Sequence, residues 1–251
     1  MDGLTFKLHG NWYMNNIQHF FEKEYYLNNP INLPKGGCWN IIIDGSKFDY
    51  LTVLQLPQYL DCFSGLLSIE IINFHNVEII CGIPKAVEYL LINNCEKLCF
   101  FNCFSGIKTL DITGCVSIKS LDGDRMNNLY KLTINNTLLS SFNELFSFYN
   151  LKEFYANNAG LKKLPMLDNS VRIIEVMNND IKQINDVPSS LISLKCDDTV
   201  VLNPYIKDTV RVINGVININ INNFIKNDDC LEEFEANLSS FINNTDDENF
   251  F

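Results

Sequence analysis

Basic residues, histidine and long apolar runs are scarce in this sequence of 251 residues, and each scarcity argues against a class of protein. The 19 lysines and arginines are outnumbered by 30 aspartates and glutamates, which gives a formal net charge of −11. Because an acidic chain repels phosphate groups, generic binding to nucleic acid or to an anionic membrane surface is disfavoured. No run is long and apolar enough to span a bilayer, and the first ten residues lack the basic start and apolar stretch of a signal peptide. We therefore expect a cytoplasmic protein that does not bind a membrane.

Signatures of catalysis and of cofactor binding are also missing. The three histidines, His9, His19 and His75, are scattered, and none belongs to a motif that pairs it with a serine or cysteine nucleophile. No glycine-rich phosphate loop is present, and the pair Gly36–Gly37 precedes an expected strand and is better explained as a turn. We therefore expect no enzymatic activity and no cofactor.

The nine cysteines form an odd set, and we expect most of them to be reduced and buried because no export signal accompanies them. Cys95, Cys99 and Cys103 are spaced by four residues, with Cys115 beyond. A structural metal site needs four converging ligands, and neither a CxxC pair nor a nearby histidine is present. Core packing is therefore favoured over a metal site.

A frame of apolar residues returns at nearly constant spacing through the middle of the chain. The segment Val87–Cys95 comes back twenty positions later as Ile107–Cys115, and the frame LxxLxLxx(N/C/T) begins again at 129, 151, 171 and 191. Weaker copies begin at 38, 66 and 210, and the last of them decays at Gly215. Fixed spacings of 20 to 22 residues are typical of a solenoid, so residues 38–220 are predicted to form a repeat array with an insertion at 50–62 in its first turn.

The frame predicts where each part of a repeat lies. Positions 1, 4 and 6 point inward from a short strand, and stacked copies form one parallel sheet over a continuous core. The return halves are short and often carry proline, so we expect extended or 3-10 structure there, with a helical turn possible only in longer copies such as Ser140–Tyr149. The asparagine pairs at positions 7 and 8 are typical of tight turns. Position 9 carries a small polar group in most copies, but Ala159 has none, so that copy is expected to depend on its neighbours.

Helices are predicted at both ends of the array, where terminal repeats would otherwise expose their core. Residues 15–26 have helical character, and Asp229–Glu232 is a capping box that opens an amphipathic segment at 229–243. The resulting organisation is an N-terminal cap at 1–37, the array at 38–220, and a C-terminal capping helix with an acidic tail at 221–251.

The frame resembles the leucine-rich repeat, over roughly residues 38–215. The segment Ala159–Cys196 is similar to the short bacterial type found in secreted effectors of enteric pathogens and to asparagine-rich arrays of large DNA viruses. The copies with cysteine at position 9 resemble the cysteine-containing class. The resemblance implies an α/β horseshoe with a concave parallel sheet, a mostly extended or 3-10 convex side and helical caps. It also implies a non-enzymatic scaffold for protein–protein interaction, a pathogen or viral virulence protein acting on a host target.

Some members of that family carry a ubiquitin-ligase domain with a catalytic cysteine, and Cys196-Asp-Asp is superficially similar to such a site. Cys196 nevertheless occupies apolar position 6, and only about thirty-five residues follow the array, so a buried core thiol is favoured. Two other functions stay open: an adaptor subunit of a phosphatase or ubiquitin ligase that binds through its cap helices, and an enzyme that uses a thiol.

Positions 2, 3 and 5 of each copy point away from the core and carry the candidate binding residues. One interpretation is a solvated sheet whose opposite charges pair across strands. The other is a partner site anchored by tyrosines, because Tyr and Arg anchor protein interfaces, with a basic ladder that selects an acidic partner surface. The candidate partner-binding residues are Tyr89, Lys108, Tyr130, Lys131, Lys152, Tyr155 and Arg172.

Overall fold

The computed structural model describes residues 4–8, 39–46, 50–56, 60–61, 66–102, 104–119, 121, 126–139 and 149–217. Its strands, in chain order, are β1 Leu4–Leu8, β2 Trp39–Asp44, β3 Val53–Gln55, β4 Leu66–Ile72, β5 Ile79–Cys81, β6 Tyr89–Asn93, β7 Phe100–Phe101, β8 Thr109–Asp111, β9 Lys131–Thr133, β10 Glu153–Tyr155, β11 Ile173–Val176, β12 Gln183–Ile184, β13 Ser193–Cys196, β14 Val201–Leu202, β15 Val212–Ile213 and β16 Val216–Ile217.

One large sheet contains a strand from every repeat. Its order is β1-β2-β4-β6-β8-β9-β10-β11-β13-β15-β16, and every pair except the last is parallel. Equivalent frame positions face each other across the repeats, as Leu90 does with Leu110 and Leu110 with Leu132. This arrangement confirms the predicted repeat solenoid, which is mostly β.

The core is built from the apolar frame positions. Positions 1, 4 and 6 are buried in all six clear copies, from Val87, Leu90 and Ile92 to Leu191, Leu194 and Cys196. Each fully buried leucine, isoleucine or valine contributes about 1.5–3 kcal/mol of hydrophobic stabilisation. Because a lone turn could bury only one side of this row, contacts between neighbouring turns supply most of that stabilisation.

In the return halves that the structure describes, the chain is extended or turning, as predicted, except for one short helix in the last of them. In two places they pair into small parallel sheets, one of β3, β5 and β7 and the other of β12 and β14. A short 3-10 segment covers residues 60–61, and helix α1 covers Pro204–Thr209, where Asn203 Oδ1 accepts a hydrogen bond from the Tyr205 amide. Since α1 is the only helix of the described residues, helix is almost absent from them.

Several sequence predictions fall outside the described residues. They are the helices at 15–26 and 229–243, the acidic tail, and most of the long return at 140–149. Within the segment assigned to the N-terminal cap, strand β1 pairs in parallel with β2, so the main sheet continues past the first weak copy at residue 38.

The strand exits of the turns from β4 to β11 share one backbone conformation. Position 8 is left-handed, with φ between 51° and 76°, in Asn73, Asn94, Gly114, Asn136, Asn158 and Asn178. Asparagine and glycine adopt this region at the lowest cost, which confirms the structural role predicted for the asparagine pairs. The Asn158 Nδ2 also donates to Asn136 Oδ1 at 2.9 Å, so the exits are linked to one another.

Asn179 compensates for the missing polar group at Ala159. Its Oδ1 accepts hydrogen bonds from the backbone amides of Ala159 at 3.0 Å and Leu161 at 3.1 Å. Its Nδ2 donates to the carbonyl oxygens of Ala156 at 2.7 Å and Met177 at 3.1 Å. The prediction that the Ala159 copy depends on a neighbour is therefore confirmed.

The last weak copy ends in a chain reversal. Asn214 and Gly215 have φ of 53° and 78°, and they join β15 to the antiparallel strand β16 in a tight hairpin. Asn-Gly is the preferred pair for such a turn because both central residues need positive φ. The repeat pattern ends at Gly215 because the chain reverses direction there. Strand β16 then pairs with the edge of β15 that would otherwise be exposed.

Candidate functional site

The face of the main sheet that points away from the core, here called the open face, carries the candidate binding residues. The parallel register brings frame position 3 into one row and position 5 into a second row. The first row contains Tyr89, Thr109, Lys131, Glu153, Ile173 and Ser193, and the second contains Leu91, Asp111, Thr133, Tyr155, Glu175 and Lys195.

Position 2 forms a third row, directly before the strands. The amide of Tyr130 donates to the carbonyl oxygen of Lys108 at 2.7 Å, and the amide of Lys152 donates to that of Tyr130 at 2.8 Å. The amide of Arg172 donates to the carbonyl oxygen of Lys152 at 2.8 Å. The structure therefore places these four residues on successive turns, as the frame predicted.

The three tyrosines are presented differently. Tyr89 is 42% exposed and Tyr130 is 50% exposed, which is high for large aromatic side chains. Tyr155 is half-buried, its hydroxyl donates to Glu153 Oε2 at 3.3 Å, and Lys131 Nζ lies 4.8 Å from the centre of its ring. Burial first, and then the charge of Glu153, raises the pKa of Tyr155. Tyr155 is thus fixed in a neutral, hydrogen-bonded state, whereas Tyr89 and Tyr130 offer open aromatic surface.

Three open-face lysines are neutralised by glutamates on neighbouring turns. Lys108 Nζ lies 2.8 Å from Glu88 Oε2, and this hydrogen bond raises the pKa of Lys108. The other pairs are Lys131–Glu153 at 3.5 Å and Lys195–Glu175 at 3.2 Å. For these residues the prediction of charges paired across strands is confirmed. Exposed pairs of this kind contribute about 0–1 kcal/mol each, so they shape the charge of the surface more than the stability of the fold.

The position-2 cations of the later turns are different. Within the part of the chain that the structure describes, Lys152, Arg172 and Arg211 form no ion pair with a carboxylate. This difference could have been predicted from the sequence by comparing the residues that are neighbours in the position-2 row. The row neighbours of Lys152 are Tyr130 and Arg172, whereas Lys108 has Glu88 beside it.

Of the five cysteines that the structure describes, Cys95, Cys115 and Cys196 are buried, Cys81 is partly buried and Cys99 is exposed. Cys95 and Cys115 are fully buried, and the Cys115 thiol donates to the Ile92 carbonyl oxygen at 3.1 Å. Its hydrogen bond with Cys95, together with burial, raises the pKa of Cys115. Cys99 is exposed, which corrects the prediction that it packs in the core, because it lies on the outer side of a return half. Cys103 lies outside the described residues, among which no cluster of histidine, cysteine and carboxylate could hold a metal ion.

Cys196 lies at apolar position 6, as the frame predicted. It is 2% exposed, and burial, followed by the charges of Asp197 and Asp198, raises the pKa of its thiol. Catalytic cysteines are accessible and have a lowered pKa, so both properties are the opposite of those of a nucleophile.

A groove that the repeat frame did not predict lies on the return side. It has a volume of about 310 Å³ and separates the return segments 163–169 and 183–188. Its walls include Leu164, Met166 and Val187, and Met166 is 85% exposed. The segments are joined at one end by the amide of Ser189, which donates to Asn169 Oδ1 at 3.0 Å. The groove is open and partly apolar, and it carries no cluster of groups suited to catalysis.

In the described segments, no helix has the length and apolarity needed to cross a bilayer. Comparison with protein-family models, with curated proteins and with solved structures found no match to this chain.

Proposed function

We propose that this protein is a leucine-rich repeat scaffold, without enzymatic activity, that binds a partner protein through the open face of its main sheet. The regular register, the 20- to 22-residue period and the extended return halves support the family assignment. An α/β horseshoe with helical caps is the full architecture that goes with it, and the open face is then the concave one.

One observation carries the functional part of the proposal. Tyr130, half exposed, stands in the same row as Lys152 and Arg172, two cations with no carboxylate partner among the described residues. Aromatic and arginine side chains contribute most of the binding energy at protein interfaces. Unpaired cations are the groups that a partner's carboxylates would neutralise, so an acidic protein surface fits this face by complementarity.

The buried state of the described core thiols favours a scaffold over a thiol enzyme. Cys115 and Cys196 are inaccessible and their pKa values are raised, so neither supplies the thiolate that nucleophilic catalysis requires. The resemblance to effectors of pathogens and to viral arrays makes a host protein the proposed target and the host cytoplasm the proposed location.

The test is partner capture with a triple variant. Wild-type protein and Y130A/K152A/Y155A are immobilised, host-cell lysate is passed over both, and retained proteins are quantified by mass spectrometry. We expect at least one protein to be retained by the wild type and lost with the variant. A matched control, Y149A/K162A/Y205A, removes two exposed tyrosines and an exposed lysine from outside the strands of the main sheet and should retain it.

Far-UV circular dichroism and thermal unfolding establish that all three proteins are folded before binding is compared. Equal retention by the wild type and the open-face variant would contradict the proposal. If retention is then lost on removing residues 229–251, the binding function belongs to the C-terminal cap, as expected for an adaptor subunit.

A further inference from the structure

The charges of the open face divide along the length of the sheet. Toward its N-terminal side, Lys108 and Lys131 are each held by a glutamate, at 2.8 Å and 3.5 Å. Toward its C-terminal side, the carboxylate of Glu175 is occupied by Lys195 at 3.2 Å and by Asn157 Nδ2 at 2.8 Å. The position-2 cations of that side are therefore left without an acid of their own.

These cations have a defined spacing, because backbone hydrogen bonds fix the row. The amide of Ile192 donates to the Arg172 carbonyl oxygen at 2.8 Å, and the amide of Val212 donates to that of Ile192 at 2.9 Å. Lys152 and Arg172 therefore stand on adjacent strands, about 4.8 Å apart along the sheet, and Arg172 and Arg211 are separated by two strand spacings, about 9.6 Å. Ile192, which is apolar and partly buried, lies between the two arginines in this row.

We infer that this half of the open face, named the cationic row for Lys152, Arg172 and Arg211, binds an acidic protein segment in polyproline II conformation with a carboxylate at every third residue. The inference rests on the proposed function and names the chemistry of its partner. Arginine guanidinium groups bind carboxylates through two parallel hydrogen bonds, and lysine adds a point charge.

The conformation follows from the spacing of the two arginines. Lys152, only about 4.8 Å from Arg172, lies off this repeat and adds its charge beside Arg172. Polyproline II has three residues per turn and rises about 3.1 Å per residue, so residues i and i+3 share a face about 9.3 Å apart. An extended strand brings i and i+2 to one face about 6.6 Å apart, which does not match the 9.6 Å between the arginine strands. The exposed ring of Tyr130, at one end of the row, provides the aromatic surface on which polyproline segments pack.

Nucleic acid also carries negative charges, but the body of the protein disfavours it. The formal net charge of −11 repels a long polyanion, whereas a short acidic segment contacts only the three local cations. Acidic peptide is therefore the occupant that the observations favour, and nucleic acid is an outcome of the test.

The test measures binding of defined peptides by fluorescence anisotropy at low ionic strength. The probe is a fluorescein-labelled peptide of four Glu-Pro-Pro repeats, and the comparison peptides are four Gln-Pro-Pro repeats and a peptide of Glu-Pro repeats, which places glutamate at every second residue. We expect the first probe to bind, the glutamine version to bind at least tenfold more weakly, and the Glu-Pro version to bind severalfold more weakly.

The variant K152E/R172E/R211E should weaken binding of the first probe at least tenfold. Its matched control, K162E/K163E/K182E, makes an equal change of net charge at exposed lysines of the return halves and should stay within twofold of the wild type. If the reversed variant does not fold, K152Q/R172Q/R211Q takes its place, with the same expected direction.

Equal binding of the glutamate and glutamine peptides would overturn the inference, as would equal weakening by the two charge-reversed variants. Stronger binding of an oligothymidylate than of the glutamate peptide would assign the row to nucleic acid and would overturn it too. If no peptide binds but Y130A/K152A/Y155A still loses the captured protein, this inference fails while the proposed function stands. If that triple variant also keeps its partner, the proposed function fails independently.

Discussion

Replacement of Asn179 by alanine should be among the most damaging changes to a side chain that lies outside the apolar core. The side-chain amide of Asn179 forms four hydrogen bonds: it accepts from the amides of Ala159 and Leu161 and donates to the carbonyl oxygens of Ala156 and Met177. The first three join its turn to the preceding one, and the bond to Met177 lies within its own turn. Alanine removes all four at once, and no side chain at position 9 of the Ala159 turn can replace them.

The expected loss of stability can be estimated from these contacts. A typical intramolecular hydrogen bond contributes about 0.5–1.5 kcal/mol net, so four of them give about 4 kcal/mol. For a protein of this size, 1 kcal/mol corresponds to about 2–4 °C in Tm, and the variant should melt roughly 8–16 °C below the wild type. The effect should be concentrated where the two turns meet, because each turn contacts only its neighbours.

Thermal unfolding and native-state hydrogen exchange measure this directly. The amides of Ala159 and Leu161 should exchange faster in N179A, while amides of β4 and β6 should be little changed. T199A is the matched control, since Thr199 occupies the same frame position, is exposed, and forms no side-chain hydrogen bond among the described residues. A loss of less than about 1 kcal/mol in N179A, or an equal loss in both variants, would refute the role given to this asparagine.

Three further predictions concern backbone, ionisation and thiol access. G114A should destabilise the protein more than G160A, as measured by urea unfolding. Both glycines have positive φ, but only at Gly114 would an added Cβ meet a neighbouring atom, Asn94 Oδ1 at 2.7 Å. Equal losses of stability in the two variants would show that the positive φ alone sets the cost. The raised pKa of Tyr155 means that, above its ordinary value near 10, the unfolded chain releases this proton before the folded chain does, so the free energy of unfolding falls as pH rises. Y155F should show a shallower fall between pH 9 and 11 than the wild type, and identical slopes would contradict the assignment. A thiol reagent read out by peptide mapping should label Cys99 in the folded protein much faster than Cys196, and prompt labelling of Cys196 would reopen the thiol-enzyme hypothesis.

The period of the sequence predicted the features that repeat. The inward positions follow from it, including the unusual Ala156, which is fully buried where other copies carry larger residues. The left-handed strand exits could be anticipated because asparagine and glycine are the residues that adopt positive φ cheaply. The dependence of Ala159 on a neighbour also followed, since the frame showed one copy without the polar group that the others have.

Features that depend on a single, nonperiodic contact were harder to predict. The pair Asn214–Gly215 is a strong hairpin signal, but the frame assigned the segment to a fading repeat and so the antiparallel strand β16 was missed. Strand β1 pairs across more than thirty residues, and nothing local in its sequence indicates that partner. The order of residues in the position-2 row already indicates that Lys108 has an acid beside it and Lys152 does not, but side-chain distances were needed to establish which cations are paired.

The left-handed residue at position 8 also has a genetic consequence. Because successive turns leave the sheet with the same backbone conformation and return to it at the same frame position, one turn is interchangeable with another at its joints. Unequal recombination that joined Ala86 to Ile107 would remove twenty codons and still present an apolar first position to the preceding turn. The gene can therefore gain or lose whole turns without a change of reading frame, and each event would alter which side chains face a partner while leaving the packing between the remaining turns intact.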